Sequence, residues 1–228
     1  MAMNIHILEL RDRIIYCIIF IISVFSVLFY YSDVIYDLFS IPLLRQLPGG
    51  SSLIATQVTS TFLVPFKLSI NLSFLLSVPY VIFHIWSFIA PGLYKNEKAL
   101  VFPFIILSII LFFVGLVFSF CIICPLALSF FVNISPANVS VMTDITSYMD
   151  FMFSITFACG VAFQVPIVIH FVIKLGLITK EEFSNKRSYI IIFAFVLGML
   201  LTPPDVISQI LLAIPIWLLF EFGLFVSK

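Results

Sequence analysis

Two short polar segments in a very apolar chain contain residue types that could bind a charged partner. The first, His-Ile-Leu-Glu-Leu-Arg-Asp-Arg at 6–13, places Glu9 and Arg13 four residues apart, where they can pair along one face of a helix. The second, at 88–97, is a Pro-Gly turn in which the carboxylate of Glu97 follows several apolar groups. On their own, the first segment could be only a helical ion pair and the second only a helix cap.

The chain shows no pattern typical of an enzyme. It has no hydrolytic triad, no metal-ligand cluster and no glycine loop that would hold a phosphate, and its three histidines are scattered. The four cysteines all lie in apolar runs, where a thiol usually packs as a small hydrophobe. We therefore expect a protein that is not an enzyme and has no catalytic residue, cofactor or metal site.

The composition requires lipid as the solvent of most of the chain. Hydrophobic residues make up 63% of the sequence and charged residues 10%, against about 45–50% and about 25% in soluble domains. Apolar segments long enough to approach the roughly 20 residues of a membrane span predict a single all-α domain over 1–228, with a retained first helix. The six predicted spans are 14–31, 68–90, 100–132, 150–173, 189–202 and 206–224.

Prolines and loop charges refine this polytopic bundle. Pro79, Pro103, Pro125, Pro166 and Pro215 fall inside the spans and should bend them, and the fifth and sixth helices are expected to be short. Nine of the 11 basic residues lie on one side of the predicted topology. By the positive-inside rule this side is the cytoplasm, so both termini are expected there. The net charge of zero gives no reason to expect nucleic acid as a partner.

A few polar residues occur where lipid or a neighbouring helix would surround them. Gln164 lies in the middle of the fourth predicted span, where a polar group is costly and often functional. Met199, Thr202 and Gln209 cluster around the Thr-Pro-Pro-Asp corner between the fifth and sixth spans. The simpler interpretations remain open: Gln164 could only join two helices by a hydrogen bond, and the corner could be a plain turn.

These segments, in their order and spacing, resemble the TatC family. The resemblance runs nearly the whole chain, through 6–13, Phe-Ile-Ala-Pro-Gly-Leu-Tyr at 88–94, Thr-Pro-Pro-Asp at 202–205, and Ser208-Gln209. It implies a Sec-independent translocase subunit of the bacterial inner membrane that recognises twin-arginine signal peptides of folded cargo proteins. It further implies single-span TatA and TatB partners, self-association in a multi-copy complex, and export driven by the proton-motive force.

The resemblance also implies roles for individual residues. Glu97 would be the principal acceptor of the paired arginines, because a carboxylate accepts a guanidinium bidentately, and Glu9 would contribute beside it. Arg11 and Arg13 would hold the N-terminal segment in register, although they could equally serve only to set the topology. Phe88, Pro91, Leu93 and Tyr94 would form the apolar surroundings.

The implied partner contacts lie inside the membrane. The corner with Met199, Thr202 and Gln209 would dock the single-span partners. Position 164 departs from the family, which usually has a glutamate there, so Gln164 keeps the hydrogen bonding and loses the charge.

Two other function classes fit the sequence less well. A secondary transporter would need convergent ionisable groups at mid-membrane, where the chain offers only Gln164 and a few hydroxyls. A membrane-embedded enzyme would need paired His, Asp or Glu at helical spacing, which the spans lack. Solute counterflow would favour the transporter, and a stable complex with single-span partners would favour the translocase.

Overall fold

A computed structural model describes residues 2–44, 54–57, 59–89, 98–133, 143–201 and 206–227, and these residues are almost entirely helical. They form ten α-helices and one isolated bridge between Ile54 and Asp144. The helices are α1 (Ala2–Tyr30), α2 (Ser32–Leu44), α3 (Ser60–Ile89), α4 (Lys98–Phe118), α5 (Cys124–Asn133), α6 (Ile145–Ala162), α7 (Val165–Lys174), α8 (Lys180–Asn185), α9 (Arg187–Leu201) and α10 (Val206–Val226). The predicted all-α class is confirmed.

Within the described residues, each of the six predicted apolar segments is largely helical, and α1 and α3 begin before the predicted starts at 14 and 68. Five stretches are long and apolar enough to cross a membrane: Ile7–Tyr30, Phe62–Ile89, Val101–Phe131, Ile145–Lys174 and Gln209–Val226. The fifth predicted span, 189–202, corresponds to α9, which has 15 residues. Its apolar part, Arg187–Met199, is shorter than the five stretches above. The last helix, expected to be short, has 21 residues, which is about 31 Å at about 1.5 Å per residue.

The chain divides into two compact units, with one boundary inside α4. Unit 1 comprises Met1–Leu38 and Thr61–Ile110. Within it, aromatic side chains join α1 to α3: Phe20 stacks on Tyr80 with 4.4 Å between ring centroids, and Phe25 meets Phe66 edge-on at 5.5 Å. Such pairs contribute about 0.5–1.5 kcal/mol beyond area burial, so α1 is held to α3 along its length.

Unit 2 comprises Phe39–Ser60 and Leu111–Lys228. Its α6–α7 stretch is the most buried of the candidate spans. Glycine allows close approach there: a Cβ on Gly160 would lie 2.6 Å from a ring carbon of Phe112, and one on Gly115 would lie 2.9 Å from the Cys159 carbonyl oxygen. In lipid the hydrophobic effect does not drive helices together, so small residues that allow close van der Waals contact stabilise their packing.

Of the five prolines predicted to disturb the spans, Pro79, Pro103 and Pro215 lie inside continuous α-helices, whereas the helix changes just before the other two. Between α4 and α5 the chain makes a π-helical turn at Ser119–Ile123, where the Cys124 amide donates to the Ser119 carbonyl five residues back. The next residue, Pro125, has no N–H to continue the normal ladder, which accounts for the local change. Between α6 and α7, Phe163 and Gln164 form a turn ahead of Pro166.

Asp144 connects two distant parts of unit 2 ahead of α6. As the N-cap of α6 it accepts hydrogen bonds from the Ser147 amide (3.0 Å) and hydroxyl (3.1 Å), and from the Thr56 amide (3.2 Å) and hydroxyl (2.8 Å). These donors, the Ser147 amide foremost, lower the pKa of Asp144 to about 2. The Ile54 amide also donates to the Thr143 carbonyl, at 3.1 Å. The backbone bridge and the Asp144 side chain therefore connect the same two segments of the chain.

Candidate functional site: a carboxylate–guanidinium cluster

The predicted pair of Glu9 and Arg13 forms on α1 in unit 1. Arg13 Nη2 donates to Glu9 Oε1 at 2.7 Å and Arg13 Nε donates to the same oxygen at 3.1 Å. Both side chains are half-buried. The four-residue spacing places them one turn apart on the same helix face, as expected from the sequence.

Arg13 also reaches the end of α3. Its Nη2 donates to the Ser87 carbonyl at 3.3 Å, and its Nη1 is 3.5 Å from the His84 carbonyl. The last carbonyls of a helix have no intrahelical partner and carry its partial negative charge. A guanidinium is therefore well suited to this place, and it ties the N-terminal part of α1 to the C-terminal end of α3.

Arg11 lies apart from this cluster. Its Nη2 and Nε donate to the neighbouring Asp12 carboxylate at 2.7 and 2.9 Å, and both side chains are largely exposed, at 61% and 49%. Exposed ion pairs contribute little, typically about 0–1 kcal/mol. Among the described residues, Arg13 contacts another helix and Arg11 contacts only its neighbour Asp12.

His84 is part of the surroundings of the cluster, although its sequence context gave no reason to select it. Its ring lies 4.5 Å from that of Tyr80 and 6.4 Å from that of Tyr16. Nδ1 of His84 is buried without a hydrogen-bond partner among the residues that the structure describes. The sequence did contain a signal for this grouping. Tyr80 and His84 are four residues apart on α3, and Arg13 and Tyr16 are three apart on α1, so each pair shares one face of its helix.

The remaining predicted contacts of this site fall at the end of α3 and beyond it. Phe88 lies in the last turn of α3, one residue after Ser87. Pro91, Leu93, Tyr94 and Glu97 lie outside the described residues. The described part of the site therefore consists of the carboxylate, the guanidinium and the α3 terminus.

The second predicted group of polar residues lies in unit 2. Gln164 occupies the turn between α6 and α7, where its carbonyl accepts from the Ile167 and Val168 amides at 3.1 Å. Gln209 Nε2 donates to the Phe195 carbonyl at 2.8 Å, and its side chain lies against Gly198. Met199 is 58% exposed, and Thr202 lies outside the described residues. The side-chain amide of Gln209 thus joins α9 to α10.

Comparison with known proteins explains why these segments occur together. The family model described as "Sec-independent protein translocase protein (TatC)" matches residues 5–215. The chain belongs to the TatC family. The matched range includes both polar segments and the α9–α10 corner, so the resemblance noted in the sequence is confirmed.

Curated and solved TatC proteins are similar over nearly their whole length. The TatC protein of Escherichia coli K12 is 47% identical over 223 residues, covering 98% of this chain and 86% of the relative. That of Haemophilus influenzae is 46% identical, with 98% and 87% covered. A crystal structure described as the twin-arginine translocase receptor TatC superimposes with a TM-score of 0.89 at 33% identity, covering 98% of both chains.

TatC membership gives the chain its broad role. It is a Sec-independent protein translocase component, the receptor component of the Tat system, with a transport role. The several apolar helices agree with a multi-pass protein of the bacterial inner membrane.

Proposed function

We propose that this chain binds the paired arginines of twin-arginine signal peptides at the cytoplasmic face of the membrane and has no enzymatic activity. The observation that carries the proposal is the half-buried Glu9–Arg13 pair, anchored at 3.3 Å to the carbonyl end of α3. Such a pair provides a preformed carboxylate at one end of a membrane-spanning helix. Family membership supports its use in signal-peptide capture.

In the proposed site, a carboxylate of this chain binds a guanidinium of the signal peptide, and both groups are planar. A guanidinium presents five N–H groups in a rigid fork, and a carboxylate can accept two of them in parallel, which an ammonium cannot reproduce. In this chain, Arg13 donates two hydrogen bonds to Glu9 Oε1, which supports a positioning role for Arg13. The resemblance to the family assigns Glu97 as the principal acceptor of the incoming arginine pair, with Glu9 beside it.

Apolar groups would complete the site around the charges. Phe88 lies in the last turn of α3, next to Ser87, whose carbonyl Arg13 contacts, and Pro91, Leu93 and Tyr94 follow in the sequence. An apolar rim excludes water and strengthens a charge-assisted hydrogen bond beside it.

The α9–α10 corner is the proposed contact for the single-span partners TatA and TatB. Met199 is exposed there, and the 15-residue α9 would leave a locally thin membrane that a partner helix could cover. Gln164 is proposed as a further polar contact, without the charge of a glutamate. Copies of the receptor would self-associate, and the proton-motive force, about 2.3 kcal/mol per charge per 100 mV, would drive export.

The orientation and domain organisation complete the proposal. The excess of basic residues supports cytoplasmic termini, and the family match, which runs from residue 5 to 215, supports one transmembrane domain over 1–228. For Ser140→Cys, we expect a membrane-impermeant maleimide to label intact spheroplasts. For Asn185→Cys, labelling should require permeabilisation, and the reverse pattern would overturn the orientation.

Peptide binding tests the receptor proposal. We would titrate the detergent-solubilised chain into fluorescent signal peptides with either Arg-Arg or Lys-Lys and follow anisotropy. Because each hydrogen bond to a charged group contributes about 1.5–3 kcal/mol, we expect at least tenfold tighter binding of Arg-Arg. Glu97→Ala should abolish this preference.

The matched control is Glu181→Ala, which removes an exposed carboxylate on α8 that is not among the residues of the proposed site. It should bind the Arg-Arg peptide as the wild type does. Equal affinities for the two peptides, or unchanged binding in Glu97→Ala, would refute the assignment.

A further inference from the structure

A cavity of about 250 Å³ opens among the last three helices of unit 2. It is much larger than the roughly 30 Å³ that one water molecule occupies in the liquid. Helices α8, α9 and α10 supply its walls. The lining residues are Lys180, Ser184, Arg187, Glu221, Leu224 and Phe225.

The polar wall of this cavity carries a surplus of positive charge and hydrogen-bond donors. Arg187 holds Glu221 in a two-point contact, with Nε 2.8 Å from Oε1 and Nη2 3.0 Å from Oε2. Because a guanidinium has five N–H groups, three remain after this contact. Lys180 and Ser184 make no side-chain hydrogen bond within the described part of the chain. The two cations and one carboxylate leave the lining with a net charge of +1.

Two residues of α10, Leu224 and Phe225, give the lining of the cavity an apolar part as well. Leu224 is buried at 3% exposure, whereas Phe225 next to it is 81% exposed. Both belong to the final turn of the candidate span Gln209–Val226. The cavity thus lies at the end of a membrane-crossing helix, where the headgroup region of a bilayer begins. Charged and apolar residues that line one cavity at this depth match the boundary between a lipid headgroup and its acyl chains.

We propose that this cavity binds the phosphate group of an anionic phospholipid, with Lys180, Arg187 and Ser184 as donors and Phe225 against the acyl region. A phosphate offers several acceptor oxygens, and lysine and arginine are the residues that usually bind it. Basic pockets between membrane helices bind anionic headgroups in this way. A soluble phosphate ion shares the same chemistry but would gain nothing from the apolar wall. This inference goes beyond the proposed receptor function and does not depend on it.

Native mass spectrometry of the detergent-solubilised full chain tests the proposal. The protein is incubated with phosphatidylglycerol, with zwitterionic phosphatidylcholine, or with inorganic phosphate, and the retained adducts are titrated. We expect phosphatidylglycerol to bind at least fivefold more tightly than phosphatidylcholine. Excess inorganic phosphate should not displace it.

Substitutions then locate the site. Lys180→Gln should weaken phosphatidylglycerol binding about fivefold, which corresponds to about 1 kcal/mol for one cation near a membrane surface. Lys186→Gln removes the same charge from a neighbouring residue that does not line the cavity, and it should leave binding unchanged. Ser184→Leu fills the cavity without altering any charge, and it should also reduce binding.

Specific outcomes would overturn the proposal. Equal binding of the two lipids would remove the anionic preference. Equal losses in Lys180→Gln and Lys186→Gln, together with no loss in Ser184→Leu, would mean that only diffuse surface charge attracts the lipid. If inorganic phosphate displaced phosphatidylglycerol, the cavity would be a site for soluble phosphate and the lipid proposal would be refuted.

Discussion

Replacing Arg13 tests whether this guanidinium positions the carboxylate of Glu9 or competes for it. Arg13→Gln removes the two contacts to Glu9 Oε1 and the 3.3 Å contact to the Ser87 carbonyl. The helical ion pair contributes about 0.3–0.5 kcal/mol. The hydrogen bond to the α3 terminus adds about 0.5–1.5 kcal/mol. The total of about 1–2 kcal/mol predicts roughly a five- to thirtyfold loss of affinity for an Arg-Arg signal peptide, because 1.4 kcal/mol is tenfold.

Two further variants distinguish charge from geometry. Arg13→Lys keeps the positive charge and loses the fork, so we expect a loss between those of the wild type and Arg13→Gln. Arg11→Gln removes a largely exposed pair with Asp12 and should lower affinity less than Arg13→Gln. Anisotropy titrations with the same labelled peptide measure all three variants under one condition.

The sign of the Arg13→Gln effect is the decisive result. If Arg13 holds Glu9 in place, its loss weakens peptide binding. If the Arg13→Gln variant binds the Arg-Arg peptide as tightly as the wild type or more tightly, Arg13 occupies the carboxylate that the peptide needs. That outcome would refute the positioning role, whatever happens in Glu97→Ala.

Three other predictions follow from contacts in unit 2. Gly160→Ala should lower the unfolding free energy by about 1–3 kcal/mol in a detergent thermal melt, because its Cβ would lie 2.6 Å from the fully buried Phe112; an unchanged midpoint would contradict this. Since the native pKa of Asp144 is lowered to about 2, its carboxylate should stabilise the fold above about pH 4 and lose this effect as the pH falls towards 2. Asp144→Asn should remove that acid-dependent difference between thermal melts, and an identical pH profile would show that the contacts to Thr56 do not matter. Gln164→Leu should weaken co-purification with the single-span partners or export, and unaltered export would make Gln164 a packing residue.

The sequence predicted the features that depend on local periodicity and composition. The apolar segments located the long helices of the described residues, and the spacing of Glu9 and Arg13 predicted their ion pair, because both signals lie within a few turns of one helix. Pro125 predicted a disturbance in its helix but not its form, since a π-helical turn depends on how the neighbouring backbone compensates for the missing donor.

Contacts between distant segments escaped prediction. Thr56 and Asp144 are 88 residues apart, and Arg187 and Glu221 are 34 apart. Each pair consists of ordinary surface residue types, so nothing in the sequence near one residue indicates the other. The anchoring of Arg13 on the carbonyl of Ser87 was hidden for a further reason: the acceptor is a backbone group, and its availability follows from where α3 ends.

The π-helical turn at Ser119–Ile123 has a consequence for insertions and deletions. A π-helical turn holds one residue more than the α-helical turn that it replaces, and each residue rotates the following face of a helix by about 100°. Because this wider turn still completes about one rotation, it absorbs the extra residue without turning the face of α5. Loss of one residue here would therefore restore an ordinary α-helical turn and keep Ala127 and Leu128, buried at 1% and 6% exposure, towards the interior of unit 2. A relative that is one residue shorter at this point would keep the same apolar stripe along α5, whereas a deletion within α5 itself would rotate the residues that follow it by about 100°.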